Sequence, residues 1–466
     1  MRDSGKNLAY FLVFKLASQL QFPIENQIMK NSFKKSVLFL ALFLFACNLP
    51  KDNLVLEEPQ VISQPTETAP VKANRDFLES RDLVTLKSKK QKVKVALFLP
   101  FSGKNKELGL HLFNAATLSL FDNDLNNNIE LVLIDSKDSA EDAAKAFKEI
   151  INQKIKLVIG PVFSSSVEAI AKDVKENNIV VISLSNNPKL VGKTTEKSGI
   201  FLGGILPEAQ IEKITSYSIG QGKSSFAIIA PNNQYGLIMT DLLKTMVKKK
   251  DGTFIISELY KSDEKDFSKI AKRIVNAFKV PSNLAQGGGN KLKKDATIKE
   301  SDRIYPKVIV IPESGKTLSK IVAAIKEQNT DERDFQIVGT SQWDDILTLS
   351  DSNLVGAWVA APENEKFRIF EKSYYQTFNK FPPRITSIVY DSVGVIADLV
   401  DKKNKGNLEI KDFTNYSVWP KNGFQGIDGL FRFLPNGLVQ RNLAILEVKR
   451  DRFETIDKPT EKFLRY

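Results

Sequence analysis

The sequence predicts an α/β protein whose body holds two doubly wound, mostly parallel sheets, each with helices on both faces. Three observations carry that expectation: short, nearly continuous apolar runs alternate with amphipathic helical stretches, the alternation occurs twice, and 466 residues at 42% hydrophobic content can fill more than one core. A strand buried on both faces reads as an unbroken apolar run, as in parallel sheets covered by helices.

The first run opens with Val93 to Leu99, ended by Pro100 and the turn residues Ser102-Gly103, and a helix follows from about Leu108 to Asp122. Strand Ile129 to Ile134 then leads into a helix over Asp138 to Asn152, strand Leu157 to Ile159 into a helix over Ser165 to Asn177, and strand Val180 to Ser183 into a polar loop. The second run begins near Gln210 with strand Phe226 to Ala230, helix Gly236 to Lys248, strand Phe254 to Leu259, helix Phe267 to Phe278, strand Val308 to Ile311 and helix Thr317 to Glu327. Within the second run, between helix Phe267 to Phe278 and strand Val308 to Ile311, 281–304 carries Gln286-Gly287-Gly288-Gly289-Asn290 and mixed charges, which reads as a flexible surface insertion.

Composition removes several function classes. The formal charge is +12, but part of it sits before Cys47 (Arg2, Lys6, Lys15, Lys30, Lys34 and Lys35 against Asp3 and Glu25). The remaining bases are interleaved with acids, without the basic stripe that tracks a phosphate backbone, so no nucleic-acid partner is expected. One Cys and one His cannot make an internal disulfide or a cysteine/histidine zinc cluster, and no metal or cofactor is expected. A serine triad would have to use His111, which lies in a helical pattern and reads as a packing residue, so no catalytic residue is assigned and the protein is not expected to be an enzyme. Pro312 to Thr317 mimics the end of a phosphate-binding loop, but Val310 stands where its first glycine belongs. Asp344-Asp345 and the acids from Asp135 to Asp142 read as solvated loop and helix-start carboxylates.

The N-terminus reads as an address. Lys30, Lys34 and Lys35 precede an apolar stretch from Val37 to Phe45 and then Ala46-Cys47, the pattern of a secretory signal too short to span a bilayer comfortably. Translation is expected to start at Met29 in preference to Met1. Leu44-Phe45-Ala46-Cys47 resembles a lipobox, which implies acylation of Cys47, cleavage before it and anchoring in membrane lipid. Asn48 favours the outer membrane, facing the periplasm. Residues 47–91, with Pro50, Pro59, Pro65 and Pro70 among polar residues, read as a disordered tether averaging about 35–40 Å end to end.

Leu99-Pro100-Phe101-Ser102-Gly103, Ile159-Gly160-Pro161-Val162-Phe163-Ser164-Ser165-Ser166, Val181-Ile182-Ser183 and Gln234-Tyr235-Gly236 together resemble a type I periplasmic-binding-protein domain of the Leu/Ile/Val-binding kind, from about Val93 to Val448. The resemblance implies two lobes joined by crossovers, with a small ligand held in the cleft between them. Its division gives 1–46 to an N-terminal extension and signal, 47–91 to the acylated cysteine and tether, 92–206 and 365–400 to the first lobe, and 207–364 and 401–466 to the second. Within the family, Leu202 to Gln210, Gly339 to Asp345, Tyr390 to Val393 and Gly426 to Phe433 are most similar to penicillin-binding protein activators, lipoproteins that stimulate peptidoglycan synthases by contact. Those activators also carry a helical-repeat domain, where this chain has only a tether. The alternative implied by the same fold is a receptor handing an amino acid of branched-chain type to an ABC permease.

The cleft residues follow from this placement. Ser164, Ser165 and Ser166 stand at a strand-to-helix junction, where backbone N–H groups and hydroxyls suit a carboxylate, and where an ordinary helix cap also needs them. Receptors of this fold hold the amino-acid carboxylate there. Ser185, after the next strand, reaches toward the same space, and Ser102 follows the first strand. From the second lobe, Tyr235 and Trp343 either face a ligand or cover the core.

Overall fold

A computed structural model describes residues 92–191, 198–281, 299–344, 346–406, 409 and 419–463. Cys47, the signal, the tether and most of the 281–304 insertion lie outside the described residues. The chain divides into two units at Lys89/Lys90, and the second, Lys90–Tyr466, holds the folded body.

The first lobe is a five-stranded parallel sheet in the order β2-β1-β3-β4-β5, from β1 (Val93–Leu99), β2 (Ile129–Asp135), β3 (Leu157–Ile159), β4 (Val180–Ser183) and β5 (Ile200–Leu202). β1 lies inside the sheet, with Ala96 paired to Val132 on one side and Val158 on the other, and five consecutive residues from Val95 to Leu99 are buried. The strands are linked by α1 (Lys106–Asn123), α2 (Ala140–Asn152) and α3 (Ser164–Glu176). α2 begins where Ser139 accepts a hydrogen bond from the Asp142 N–H and donates one back to its carboxylate, a reciprocal cap.

The second lobe is a seven-stranded sheet in the order β15-β14-β10-β9-β8-β6-β7. β6 (Ser225–Pro231), β7 (Thr253–Tyr260), β8 (Val308–Ile311), β9 (Gln336–Thr340) and β10 (Trp358–Ala361) are parallel, and β14 (Ala444–Val448) and β15 (Phe453–Asp457) join antiparallel. The period-two alternation of strands sorts its side chains into two cores: Phe226, Ile228 and Ala230 with Met239 and Leu243 on one face, Ala227 and Ile229 with Ile321 and Ile325 on the other. Its helices are α4 (Pro207–Gly220), α5 (Gln234–Lys249), α6 (Ser268–Asn276), α7 (Gly315–Gln328) and the short α8 (Ile346–Ser350).

From β10 the chain returns through α9 (Asn364–Phe378) and α10 (Thr386–Asn404), which pack on α1. A three-stranded antiparallel sheet follows, made of β11 (Phe424–Gly426), β12 (Gly429–Phe433) and β13 (Val439–Arg441). This sheet differs from the division read in sequence, which gave all of 401–466 to the second lobe. Trp419, Phe431, Phe433 and Val439 are buried in the first-lobe core, with Phe201 of β5 4.6 Å from Trp419 and 5.4 Å from Phe433 between ring centroids. The Leu202 N–H also donates to the Gly437 carbonyl at 2.9 Å. The β5 edge offers an aromatic and an open backbone donor, and the apolar alternation of Phe431 and Phe433 fits it. Only β14 and β15 complete the second sheet.

Candidate functional site

The site grows from two loops at the carboxyl ends of β3 and β4, where ligands sit in open parallel sheets. After β3 the chain passes through a cis Gly160–Pro161 peptide and enters α3 at Ser164. After β4, Ser183 Oγ donates to the Pro161 carbonyl at 2.9 Å, and the Leu184 N–H donates to the same oxygen at 3.1 Å. These bonds clamp the two loops together. Across the clamp, Ser164 Oγ and Ser185 Oγ lie 2.8 Å apart, and Ser185 Oγ also accepts the Asn187 N–H.

The paired hydroxyls open onto a cavity of about 390 Å³, within the size range of small-ligand sites. Its first-lobe wall is Val162, Phe163, Ser164, Leu184, Ser185 and Asn186. Gly204 and Ile205 of the first crossover form another side, where a Cβ on Gly204 would stand 2.7 Å from the Ser185 carbonyl oxygen, so only glycine lets the crossover approach so closely. The second lobe contributes Ser341 and Gln342. Ser341 is fixed by its N–H and hydroxyl, which both donate to Gln210 Oε1 at 2.8 and 3.0 Å.

The remaining wall is Arg384, Ile385, Ile388 and Asp428. Arg384 donates to Asn364 Oδ1 at 2.7 Å and Asp428 Oδ1 at 2.8 Å, and its Nη1 lies 3.0 Å from Asp344 Oδ2. Ser387 Oγ donates to the second oxygen of Asp428 at 2.6 Å. Behind Asp428, Asp391 accepts the Ile427 N–H at 2.7 Å and faces Arg441 at 3.8 Å. Burial, with Asp428 adding to it and Arg441 opposing it, pushes the Asp391 carboxyl up to about 7.

The residues singled out in sequence divide. Ser164 and Ser185 meet in the cavity wall. Ser165 is exposed on the first turn of α3, and Ser166 is fully buried with a hydroxyl that has no partner among the described residues. Ser102 hydrogen-bonds the Asp135 carboxylate; burial works to raise that carboxyl, but this bond and those from the Lys137 and Phe101 N–H groups outweigh it and hold it below its ordinary value. Tyr235 packs its ring against the second-lobe core, and burial pushes its phenol up to about 12. Trp343 is the clearest departure from a cleft role: it is fully buried, its indole N–H donates to the Ile311 carbonyl at 3.1 Å, and a Cβ on Gly339 would stand 2.0 Å from its ring. Neither aromatic is among the cavity walls. His111 is a packing residue, its Nδ1 2.9 Å from the Tyr374 hydroxyl, and burial, with Lys380 adding to it, lowers its pKa.

Arg384 and Asp428 were not singled out in sequence. Phe381-Pro382-Pro383-Arg384 reads as a loop and Ile427-Asp428-Gly429 as a turn; the signal available was the Asp-Gly pair between apolar residues, which marks a hairpin. Among the described residues no grouping of His, Cys, Asp or Glu could hold a metal ion.

A family model described as periplasmic binding protein matches residues 92–452. Among solved structures, the chain is similar to a putative branched-chain amino acid ABC transporter protein from Rhodospirillum rubrum, at 16% identity and a TM-score of 0.62, covering 78% of this chain and 100% of that one. It is similar to a branched-chain amino acid transporter substrate-binding protein from Streptococcus pneumoniae in complex with isoleucine (18% identity, TM-score 0.54, 79% and 100% covered). A solute-binding protein from Rhodopseudomonas palustris BisB5 in complex with 3,4-dihydroxybenzoic acid is also similar (16% identity, TM-score 0.57, 80% and 97% covered). An uncharacterised protein of Rickettsia prowazekii (strain Madrid E) is 23% identical over 251 residues, which are 54% of this chain and 61% of that relative's own length. The solved structures share the two-lobed fold.

Proposed function

This chain belongs to the periplasmic binding protein family, and on that premise we propose that it is a non-enzymatic substrate-binding receptor that takes a small organic acid, of which amino acids are the best-known class, into the cleft and presents it to an ABC permease. The observation that carries the reading is the Ser164–Ser185 hydroxyl pair at the start of α3, opening onto a cavity walled by both lobes. Backbone N–H groups at a helix start, beside two hydroxyls, make a ready carboxylate site. Thermal melting against a panel of amino acids and small carboxylic acids tests it. A ligand that raises the melting temperature by several degrees supports the receptor, and a flat response across the panel rejects it.

A second reading is a docking body that presses on a peptidoglycan synthase. The specific observation in its favour is the exposed aromatic pair Tyr375 and Phe381, stacked at 4.7 Å on the first lobe, an apolar surface of the kind that protein contacts use. Retention of a synthase by the wild-type chain, lost with Phe381→Ser, would favour it. Either role is placed in the periplasm by the family, and acylation of Cys47 would hold the body to the outer membrane by its lipid; mass spectrometry of the cell-derived protein reads that thiol directly.

A further inference from the structure

We infer that the organic acid held in this cleft carries no ammonium group. The inference rests on the receptor reading and narrows its ligand. An amino acid enters as a zwitterion, and an ammonium taken out of water needs an anion or converging acceptors, because leaving it unpaired in a low-dielectric space is costly.

The carboxylate in the cavity wall and its nearest neighbours are already engaged, and Glu371 of α9, near Asp344 and Arg384, is not among the walls. Asp428, the only acid among the described residues of the cavity walls, is fully buried, with one oxygen on Arg384 and the other on Ser387. Asp344 faces the same guanidinium. On the second lobe, Glu313 takes the Tyr260 hydroxyl on one oxygen and the Ser314 N–H, at 2.9 Å, on the other. Asp391, the further acid of the cluster, sits behind Asp428 against Arg441 and is not among the walls. An ammonium drawing on Asp428 or Asp344 would have to compete with Arg384 for them and leave a buried guanidinium short of a partner.

The donors point the other way. One hydroxyl of the Ser164–Ser185 pair donates to the other and leaves the second hydrogen for an anion, the start of α3 adds backbone N–H groups, and Arg384 Nε has no partner among the described residues. Val162, Phe163, Leu184, Ile205, Ile385 and Ile388 add apolar surface, with Asn186, Ser341 and Gln342 as uncharged polar neighbours. One negative group at the serine end and an uncharged apolar body satisfy this cavity.

Calorimetric titration of the full chain with matched pairs tests the inference: 4-methylpentanoate against L-leucine, and phenylacetate against L-phenylglycine, which differ only by the amine. The amine-free member of a pair is expected to bind about tenfold tighter or more. Equal or tighter binding of the amino acid overturns the inference and leaves the receptor standing. Silence from both pairs and from the wider panel, with a cooperative melt showing folded protein, removes the receptor reading and this inference together. As a converse test, Gln342→Glu adds an acid to a wall that has none to spare and should narrow the gap between L-leucine and 4-methylpentanoate. An unchanged gap in a normally folded variant counts against the charge argument.

Discussion

Arg384 and Asp344 form an ion pair across the hinge, with Nη1 3.0 Å from Oδ2 and side chains only 14% and 10% exposed. Arg384 stands just ahead of α10 in the first lobe, whereas Asp344 follows Trp343, which is embedded in the second-lobe core. The same guanidinium also holds Asp428 and lies 4.1 Å from the Phe367 ring. One buried cation thus serves two acids at the junction where the cleft is walled.

Removing that cation should cost more than removing either acid. Arg384→Gln strands two buried carboxylates and is expected to lower the unfolding free energy by about 3–5 kcal/mol. Asp344→Asn, which leaves Arg384 its contacts with Asp428 and Asn364, should cost distinctly less. Urea denaturation of the two variants checks the order, and equal losses would count against a shared cation.

Asp391 gives a pH signature. Its carboxyl is raised from 3.8 to about 7, chiefly by burial, so the folded chain keeps a proton that the unfolded chain releases. The stability due to this residue is complete below 3.8 and is lost as pH climbs through about 7. The melting temperature of the wild-type chain should therefore decline, relative to Asp391→Asn, as pH is raised across that window. Parallel melting profiles for the two proteins would contradict the assignment.

The serine pair should behave as a unit. Ser164→Ala and Ser185→Ala each remove one hydroxyl of a contact at 2.8 Å. In a double-mutant cycle on ligand affinity their effects should be non-additive by about 0.5–3 kcal/mol. Additive losses would mean that the ligand does not read the pair.

Trp343 separates packing from recognition. Trp343→Phe deletes the indole N–H bond to the Ile311 carbonyl, which keeps the Glu313 N–H at 3.0 Å, for an expected loss of about 0.5–1.5 kcal/mol in stability. Ligand affinity should stay within twofold or so of wild type, because the ring lies inside the second-lobe core. A large affinity loss at unchanged stability would return the residue to the cleft.

The sheets could be read because a strand buried on both faces leaves a plain trace: Val95 to Leu99 and Val308 to Ile311 are unbroken apolar runs. The serine loops could be read because the strand-to-helix junction itself sets the chemistry at Ser164. The hinge acids and Arg384 could not, since their partners are 20 to 44 residues apart and on different elements, which no local pattern encodes. β11 to β13 were missed because each strand is only three to five residues long and is separated from its neighbours by glycine turns. Tyr235 and Trp343 sit at loop positions that suit a ligand or a core equally well, and only their neighbours decide between the two.

Neither half of the body is continuous along the polypeptide. The first is sealed by Ile388 to Val400 and by Trp419 to Val439, while the second takes β14, from near the end of the chain, between β10 and β15. A growing polypeptide that has emerged as far as Ala361 therefore holds two unfinished halves, with Phe201 and the β10 edge still uncovered. Completion of both waits on the stretch from Ile388 to Val448, so neither half should close fully before that stretch has been made. A premature stop anywhere before Val439 should damage both halves at once and not spare the one made first.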